Sequence, residues 1–296
     1  MYTAAYKAIY AVVSEDKKKV ELIECPSCFG GAFWALHHYT QRSNVLSSRV
    51  YGDTVRYVLS TKETNEPLAG SHSAAGVESV LVSDDEVSIT YAGLGGGGVG
   101  ATVCRALADG VIRYELSSSG GSKVGRGTLV LPVRTRVLIG VDDTDNKTEG
   151  ATWSLVHNIA KELSSPQVAY LSHSIVQLFP VPEKTLNCTS TVVELGCTRE
   201  SVQDAVEQFR RLVLEHTLSE RVGMAVWVGS GCECLKEYSV RAHSQRVSLA
   251  EALREAKECG VLVPIEGRGL IGALAALPQY ASEVACIPEK SAESNP

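Results

Sequence analysis

VLIGVDDTDNKTEGATW, residues 137–153, is the stretch whose reading decides the fold. The apolar run Val137–Val141 has the character of a strand covered on both faces. Behind it stand Asp142, Asp143 and Asp145, three carboxylates within four residues. Gly150-Ala151-Thr152 then opens a helix whose inward face carries Leu155, Val156, Ile159, Ala160 and Leu163. Ligand sites in open α/β sheets form at the carboxyl ends of strands. Crowded like charges favour protonation unless a cation compensates them. Hard oxygen donors suit Mg²⁺, and the free N–H groups of a helix start suit an anion. On spacing alone a polar turn capped by Asp145 or Thr144 is the competing reading.

Downstream of this stretch, AYLSHSIVQLF and CTSTVVEL read as strands and ESVQDAVEQFRRLVLEH as a long amphipathic helix. MAVWVG is a further strand, SLAEALREAKEC a helix stopped by Gly260, and GALAAL a small-residue helix. Upstream, KAIYAVV and VELIE flank a charged turn, and VESVLVS and VSITYAG flank Asp84-Asp85-Glu86; both read as hairpins. FGGAFWALHHYTQ predicts a short helix, VRYVLSTK and VIRYELS strands, and ATVCRALADG a short helix. The pattern changes near residues 133–137, where a domain boundary is expected.

The 296 residues are 44% hydrophobic, enough to bury a sizeable core. Up to Arg136 there are 14 basic and 13 acidic residues, and beyond it 14 basic and 21 acidic. That acidic second half leads the sequence reading to disfavour a nucleic-acid partner, which normally leaves a basic footprint. No run approaches the roughly 18 apolar residues of a membrane span, so a cytoplasmic location and no membrane partner are expected. The nine cysteines are odd in number and scattered, which suits free thiols in a reducing compartment. Cys25 and Cys28, followed by His37 and His38, leave a metal site as the alternative to structural thiols.

Two further stretches, FPVPEKTLN (179–187) and GRGLIGALAAL (267–277), join GVDDTD in an order that resembles the kinase-like catalytic domain of archaeal tRNA(Ile)-agmatidine synthase. The resemblance implies ATP and Mg²⁺ as cofactors and phosphoryl transfer to a carbonyl oxygen, which a nitrogen nucleophile then displaces. It implies that Asp142, Asp143 and Asp145 hold the metal, with Asp142, Asp143 and Lys184 catalytic. Thr152, Thr185, Asn187, Gly267, Arg268 and Gly269 would join Asp145 around the nucleotide. The Lys184–Asn187 spacing is one residue tighter than that family's motif, and its RNA-binding OB and zinc-ribbon modules find no counterpart in the cysteine pattern. CPSCFGGAFWALHHY, TYAGLGGGGVGATVCRALADGV and GATWSLVHNIAKEL together look like methanogenesis marker protein 11 over nearly the whole chain. That likeness implies an archaeal, methanogenesis-associated setting, with a cofactor precursor or a methanogenesis protein as acceptor. An assembly factor for methyl-coenzyme M reductase without its own chemistry, or tRNA modification with the RNA-binding module in trans, are the alternatives.

GLGGGG from Gly93 satisfies G-x-G-x-x-G, but the preceding hairpin speaks against a dinucleotide-binding βαβ unit. A more general phosphate loop is expected of Gly93–Gly100 and of Gly120–Gly127, where Lys123 and Arg126 flank flexible backbone. The fold class expected is α+β / α/β in two domains: a mixed-sheet recognition domain over 1–135 and a kinase-like α/β domain over 136–287. A disordered tail over 288–296 completes the expectation.

Overall fold

The computed structural model describes residues 2–117, 123–185 and 187–282; the expected tail at 288–296 lies outside them. Two compact units divide at Thr135/Arg136. Both mix strands with helices, the α/β class expected.

The first unit begins with the hairpin of β1 (Ala8–Val13) and β2 (Lys19–Cys25), followed by α1 (Phe29–Tyr39). A second hairpin, β3 (Val45–Tyr51) and β4 (Thr54–Ser60), turns on Gly52, whose φ of 57° only glycine adopts freely. Sequence periodicity missed β3, because its residues VLSSRVY are mostly half-exposed and show no clean alternation. β5 (Ala75–Val82) and β6 (Glu86–Leu94) form the third hairpin, then α2 (Gly97–Arg105) and β7 (Arg113–Leu116). β8 (Val124–Asp142) is a 19-residue strand that runs through the boundary expected at 133–137. Its first part pairs with β6 on one side and β7 on the other, and Val133–Arg134 then meet β1 in parallel. The core collects Leu22, Tyr39, Tyr57, Ile89, Tyr91 and Leu129. A buried Arg105–Glu24 pair crosses it, with Nε–Oε1 at 2.6 Å and Tyr6 and Tyr91 bonded to the same two groups.

Within the first expected phosphate loop, Gly93 and Gly98 are required by packing, whereas Gly95, Gly96 and Gly100 face open space. A Cβ on Gly93 would stand 2.4 Å from the Gly98 nitrogen, and one on Gly98 2.1 Å from the Gly125 oxygen. These residues let β6, α2 and β8 close on one another. Arg126 is engaged by both carboxylate oxygens of Glu78, at 2.7 and 2.9 Å. Of the second expected loop, residues 120–122 lie outside the described residues.

In the second unit the end of β8 lies in the strand order β9–β10–β8–β11–β12. The elements are α3 (Thr152–Glu162), β9 (Val168–Gln177), β10 (Thr189–Cys197), α4 (Val202–His216), β11 (Gly223–Val228), α5 (Lys236–Ser244), α6 (Leu249–Cys259), β12 (Leu262–Ile265) and α7 (Leu270–Ala276). Side chains alternate across a strand, so Val137, Ile139 and Val141 pack with Val156 and Phe209 of α3 and α4. Leu138 faces the opposite layer, with Tyr238, Ala252 and Leu274 of α5, α6 and α7. Burial on both faces is why VLIGV is continuously apolar. α6 is bounded as its sequence demands, by a Ser248/Glu251 capping box and by Gly260 at φ 70°. β12 and α5 escaped the sequence reading.

Candidate functional site

Asp142 is the last residue of β8, and α7 lies across it. A Cβ on Gly272 would stand 1.9 Å from Asp142 Oδ2, while Oδ1 accepts the Asp143 N–H at 2.8 Å. The carboxylate is thus held from both sides. Burial, then the negative charges of Asp143 and Asp145, push its pKa well above the usual carboxylate range. Asp143 is raised too, by burial and Asp145 against the opposing pull of Arg221 and Arg268. It adopts φ 58°, a left-handed conformation that Asp tolerates better than most residues and that turns the chain out of the strand.

The rest of the acidic loop is fixed by α3. Buried Thr144 donates both its N–H and its hydroxyl to Thr152 Oγ1, at 3.2 and 3.0 Å. Gly150, at φ 90°, approaches Asp145 so closely that a Cβ would meet that residue's Cβ at 3.0 Å. Asp145 Oδ1 accepts the Thr185 hydroxyl at 3.0 Å. No side chain caps α3, and of its first-turn N–H groups that of Ser154 already bonds the Ala151 carbonyl oxygen at 3.1 Å.

Two pockets share Asp142. The first is an open cleft of about 640 Å³ with an apolar wall of Leu178, Phe179, Val247 and Ile271. Its charged rim is Asp142, Asp143, Glu183, Lys184, Arg246 and Arg268. Glu183 ion-pairs with Arg246 and, at 3.4 Å, with Arg268. Its own backbone N–H, then the two arginines, hold its carboxyl below the usual range. The second pocket, about 480 Å³, is lined by Asp142, Asp145, Thr152, Trp153, Thr185 and Asn187, together with Gly150 and Ala151 at the start of α3. Asn187 lines both.

Of the residues singled out in the sequence, the pockets bring together Asp142, Asp143, Asp145, Thr152, Lys184, Thr185, Asn187 and Arg268. Gly267 and Gly269 line neither. Their missing side chains admit backbone instead: a Cβ would stand 2.0 Å from the Val222 oxygen at Gly267 and 2.4 Å from the Asp142 oxygen at Gly269. Sequence reasoning took Gly272 only as part of the late glycine stretch 267–277 and gave no role to Glu183 or Arg246. Arg246 is delivered by α5, whose Ala242 carbonyl oxygen accepts the Phe179 N–H at 3.0 Å and so docks the FPVPEK turn. The signal available was the i, i+4 pair Tyr238/Ala242 in KEYSVRAHS, both buried.

The three aspartates do not form a ready-made cage: among the described residues no group of three or more His, Cys, Asp or Glu could hold a metal ion. Asp143 opens on the first pocket and Asp145 on the second. Mg²⁺ commonly needs only one or two carboxylates, the rest of its shell being water and phosphate. Asp142 with Asp143, both carboxyls raised toward protonation chiefly by burial, fits that requirement. Cys25 and Cys28 gather no such group either. Burial pushes the Cys25 thiol up to about 11, and the His38 Nδ1 lies 3.0 Å from the His72 oxygen.

Residues 138–264 match the family model described as the TiaS TCKD domain. Over 149 residues, 47% of this chain and 34% of the relative, the chain is 30% identical to TiaS of Pyrococcus horikoshii, a tRNA 2-agmatinylcytidine synthetase. It therefore spans about a third of that relative's length. The crystal structure of a complex of TiaS with tRNA and ATP aligns with 49% of this chain and 36% of that one, at 24% identity and a TM-score of 0.43. The match to a tRNA-modifying synthetase overturns the exclusion of nucleic acid drawn from the acidic second half. Net charge sums a whole segment, whereas an RNA footprint is a local surface, so the one does not exclude the other. No helix among the described residues is long and apolar enough to cross a membrane. Over 278 residues the chain is 35% identical to the uncharacterized protein MJ0921 of Methanocaldococcus jannaschii, covering 92% of this chain and 93% of the relative. The chain belongs to the same family as MJ0921, and its second half resembles the TiaS TCKD domain.

Proposed function

We propose that this chain is the ATP-using unit of an RNA-modifying enzyme, which phosphorylates a carbonyl-type oxygen on a base so that a nitrogen nucleophile can displace it. The observation that carries the reading is the Asp142 carboxylate, held from two sides and common to two pockets of different character. The apolar wall of the first pocket suits a nucleobase, and Lys184, Arg246 and Arg268 suit phosphates. The second pocket, polar and floored by the start of α3, suits the acceptor group, with Thr185 and Asn187 to orient it.

Asp142, with Asp143 or Asp145, would hold Mg²⁺, which neutralises phosphate charge when bound. The protein's own part is positioning and electrostatics, the main demands of phosphoryl transfer. Gly272 and the Asp143 amide fix Asp142, while Glu183 aims two guanidinium groups at the first pocket. The synthetase relative favours tRNA as acceptor over the cofactor precursor or methanogenesis protein implied by the marker-family resemblance. RNA recognition would come from the first unit or from a partner.

Calorimetry of ATP binding with and without Mg²⁺, on the wild type and Asp142→Asn, tests the nucleotide site. Mass spectrometry of tRNA digests after incubation with ATP and an amine tests the chemistry. Magnesium-dependent binding lost in the variant, with a mass gain on one nucleoside, is the expected result. A folded wild type that binds ATP yet leaves every RNA mass unchanged would sink the modification reading and favour an assembly factor.

A further inference from the structure

Trp153, the second residue of α3, is 49% exposed. The face that α3 turns to the core is made by Val156, Ile159 and Ala160, so packing does not account for the indole. It lines the second pocket, and among the described residues of that lining it is the one aromatic. None of them is Lys or Arg, whereas the first pocket has Lys184, Arg246 and Arg268. The two pockets thus sort their occupants by charge. A triphosphate belongs with the three cations, and the second pocket is left for a group that carries no phosphate.

The polar side chains around the indole suit the edge of a planar, uncharged molecule. Asn187 brings an amide that can both donate and accept. Thr185 gives its hydroxyl proton to Asp145 at 3.0 Å, which leaves its oxygen free to accept another bond. A nucleobase matches both features, with a flat face for the indole and an edge of donors and acceptors. Inside a duplex a base has both faces covered and its edge paired. Only a base taken out of its stack can lie on Trp153 with its carbonyl oxygen toward Asp142.

The flank of α3 beyond the pocket continues the same chemistry. Residues four apart on a helix are neighbours, so His157 follows Trp153 and Lys161 follows His157. The His157 ring stacks on His173, with centroids 6.1 Å apart and planes at 21°, and its Nδ1 lies 2.9 Å from the Tyr170 hydroxyl. Lys161 is exposed. Rings followed by a cation are what a single strand leaving the pocket needs, for its bases and its phosphates respectively. A small amine would have no use for this extension. We propose that Trp153 stacks on the acceptor base, held out of its strand in the second pocket, while the adjoining nucleotide follows His157 and Lys161 along α3. This assignment rests on the base-modifying reaction proposed above.

Fluorescence anisotropy on the full chain tests this, with a labelled oligouridylate of about 12 nucleotides, within the usual site size of a single-strand groove. The wild type is compared with Trp153→Ala and Trp153→Phe, and each is also titrated with ATP·Mg²⁺ by calorimetry. Trp153 is half exposed, so circular dichroism should show folded variants. Trp153→Ala should bind the oligomer at least tenfold more weakly and Trp153→Phe within about threefold of the wild type, with ATP affinity unmoved. Annealing the oligomer to oligoadenylate should weaken wild-type binding at least tenfold. Equal affinity in the wild type and Trp153→Ala overturns the proposal and leaves the phosphorylation reading standing. A wild type that binds no oligomer overturns it too. So does a Trp153→Ala variant that loses ATP instead, which would assign the indole to the adenine. The expected stacking beside a tRNA whose mass never changes supports Trp153 as a base-binding residue, and it is the phosphorylation reading that then fails.

Discussion

Gly272 and Asp142 are matched across the interface between α7 and β8: the space where a Cβ would stand, 1.9 Å from Asp142 Oδ2, is the space that carboxylate oxygen fills. Of the late glycines this is the one that touches a charged side chain of the candidate site. The backbone of α7 therefore sets how far the carboxylate projects.

Gly272→Ala is expected to displace the Asp142 carboxylate and lower ATP·Mg²⁺ affinity at least tenfold. Overpacking of this kind typically costs about 1–3 kcal/mol of stability. Calorimetry beside denaturant unfolding checks both. Unchanged affinity in the alanine variant would show that the contact is not what positions Asp142.

Asp142→Asn should abolish magnesium-dependent ATP binding and yet stabilise the fold. The carboxyl is pushed far up by burial and by its two acidic neighbours, so a neutral isostere removes an unfavourable charge. A gain of about 1 kcal/mol is expected at neutral pH, in line with the usual trade-off at functional sites. A loss of stability would mean that the wild-type carboxylate is already compensated.

Six residues before Asp142 on β8, Arg136 forms a buried pair with Glu194, Nε to Oε1 at 2.8 Å, and Ser172 donates to the other carboxylate oxygen at 2.6 Å. Glu194→Gln leaves the guanidinium buried without its counter-charge. Breaking such a pair costs about 3–5 kcal/mol. Urea unfolding that shows a change below about 1 kcal/mol would instead place this pair with weakly coupled surface ones.

Stability should fall with acid because of His173, whose pKa burial pushes down to about 4, with His157 adding to the effect. Its unfolded value is about 6.5. Between these values the unfolded chain binds more protons, so stability rises with pH. Acidification from 6.5 toward 4 removes up to about 1.4 kcal/mol per pH unit. Comparing unfolding at pH 7 and 5 for the wild type and His173→Gln isolates the contribution, which should shrink in the variant.

What the sequence determined by itself is whatever depends on neighbours a few residues apart. The turn at Asp84–Glu86 and the stop of α6 at Gly260 were legible because turns and caps are local chemistry. The strand VLIGV and the helix behind it were legible because burial on a regular element imposes a period. The acidic loop was legible as a candidate site because three like charges seldom crowd without a cause. β3 was not, since its residues are mostly half-exposed and show no clean alternation, and α5 and β12 were missed as well. Only the tertiary structure decided that Gly93 and Gly98 serve packing, that Gly272 makes room for Asp142, and that Arg246 arrives beside Arg268. Those pairings join residues separated by up to 130 positions, from Asp142 to Gly272. No local preference encodes them; they exist because the buried faces of the second-unit sheet can be covered only when the chain returns to them.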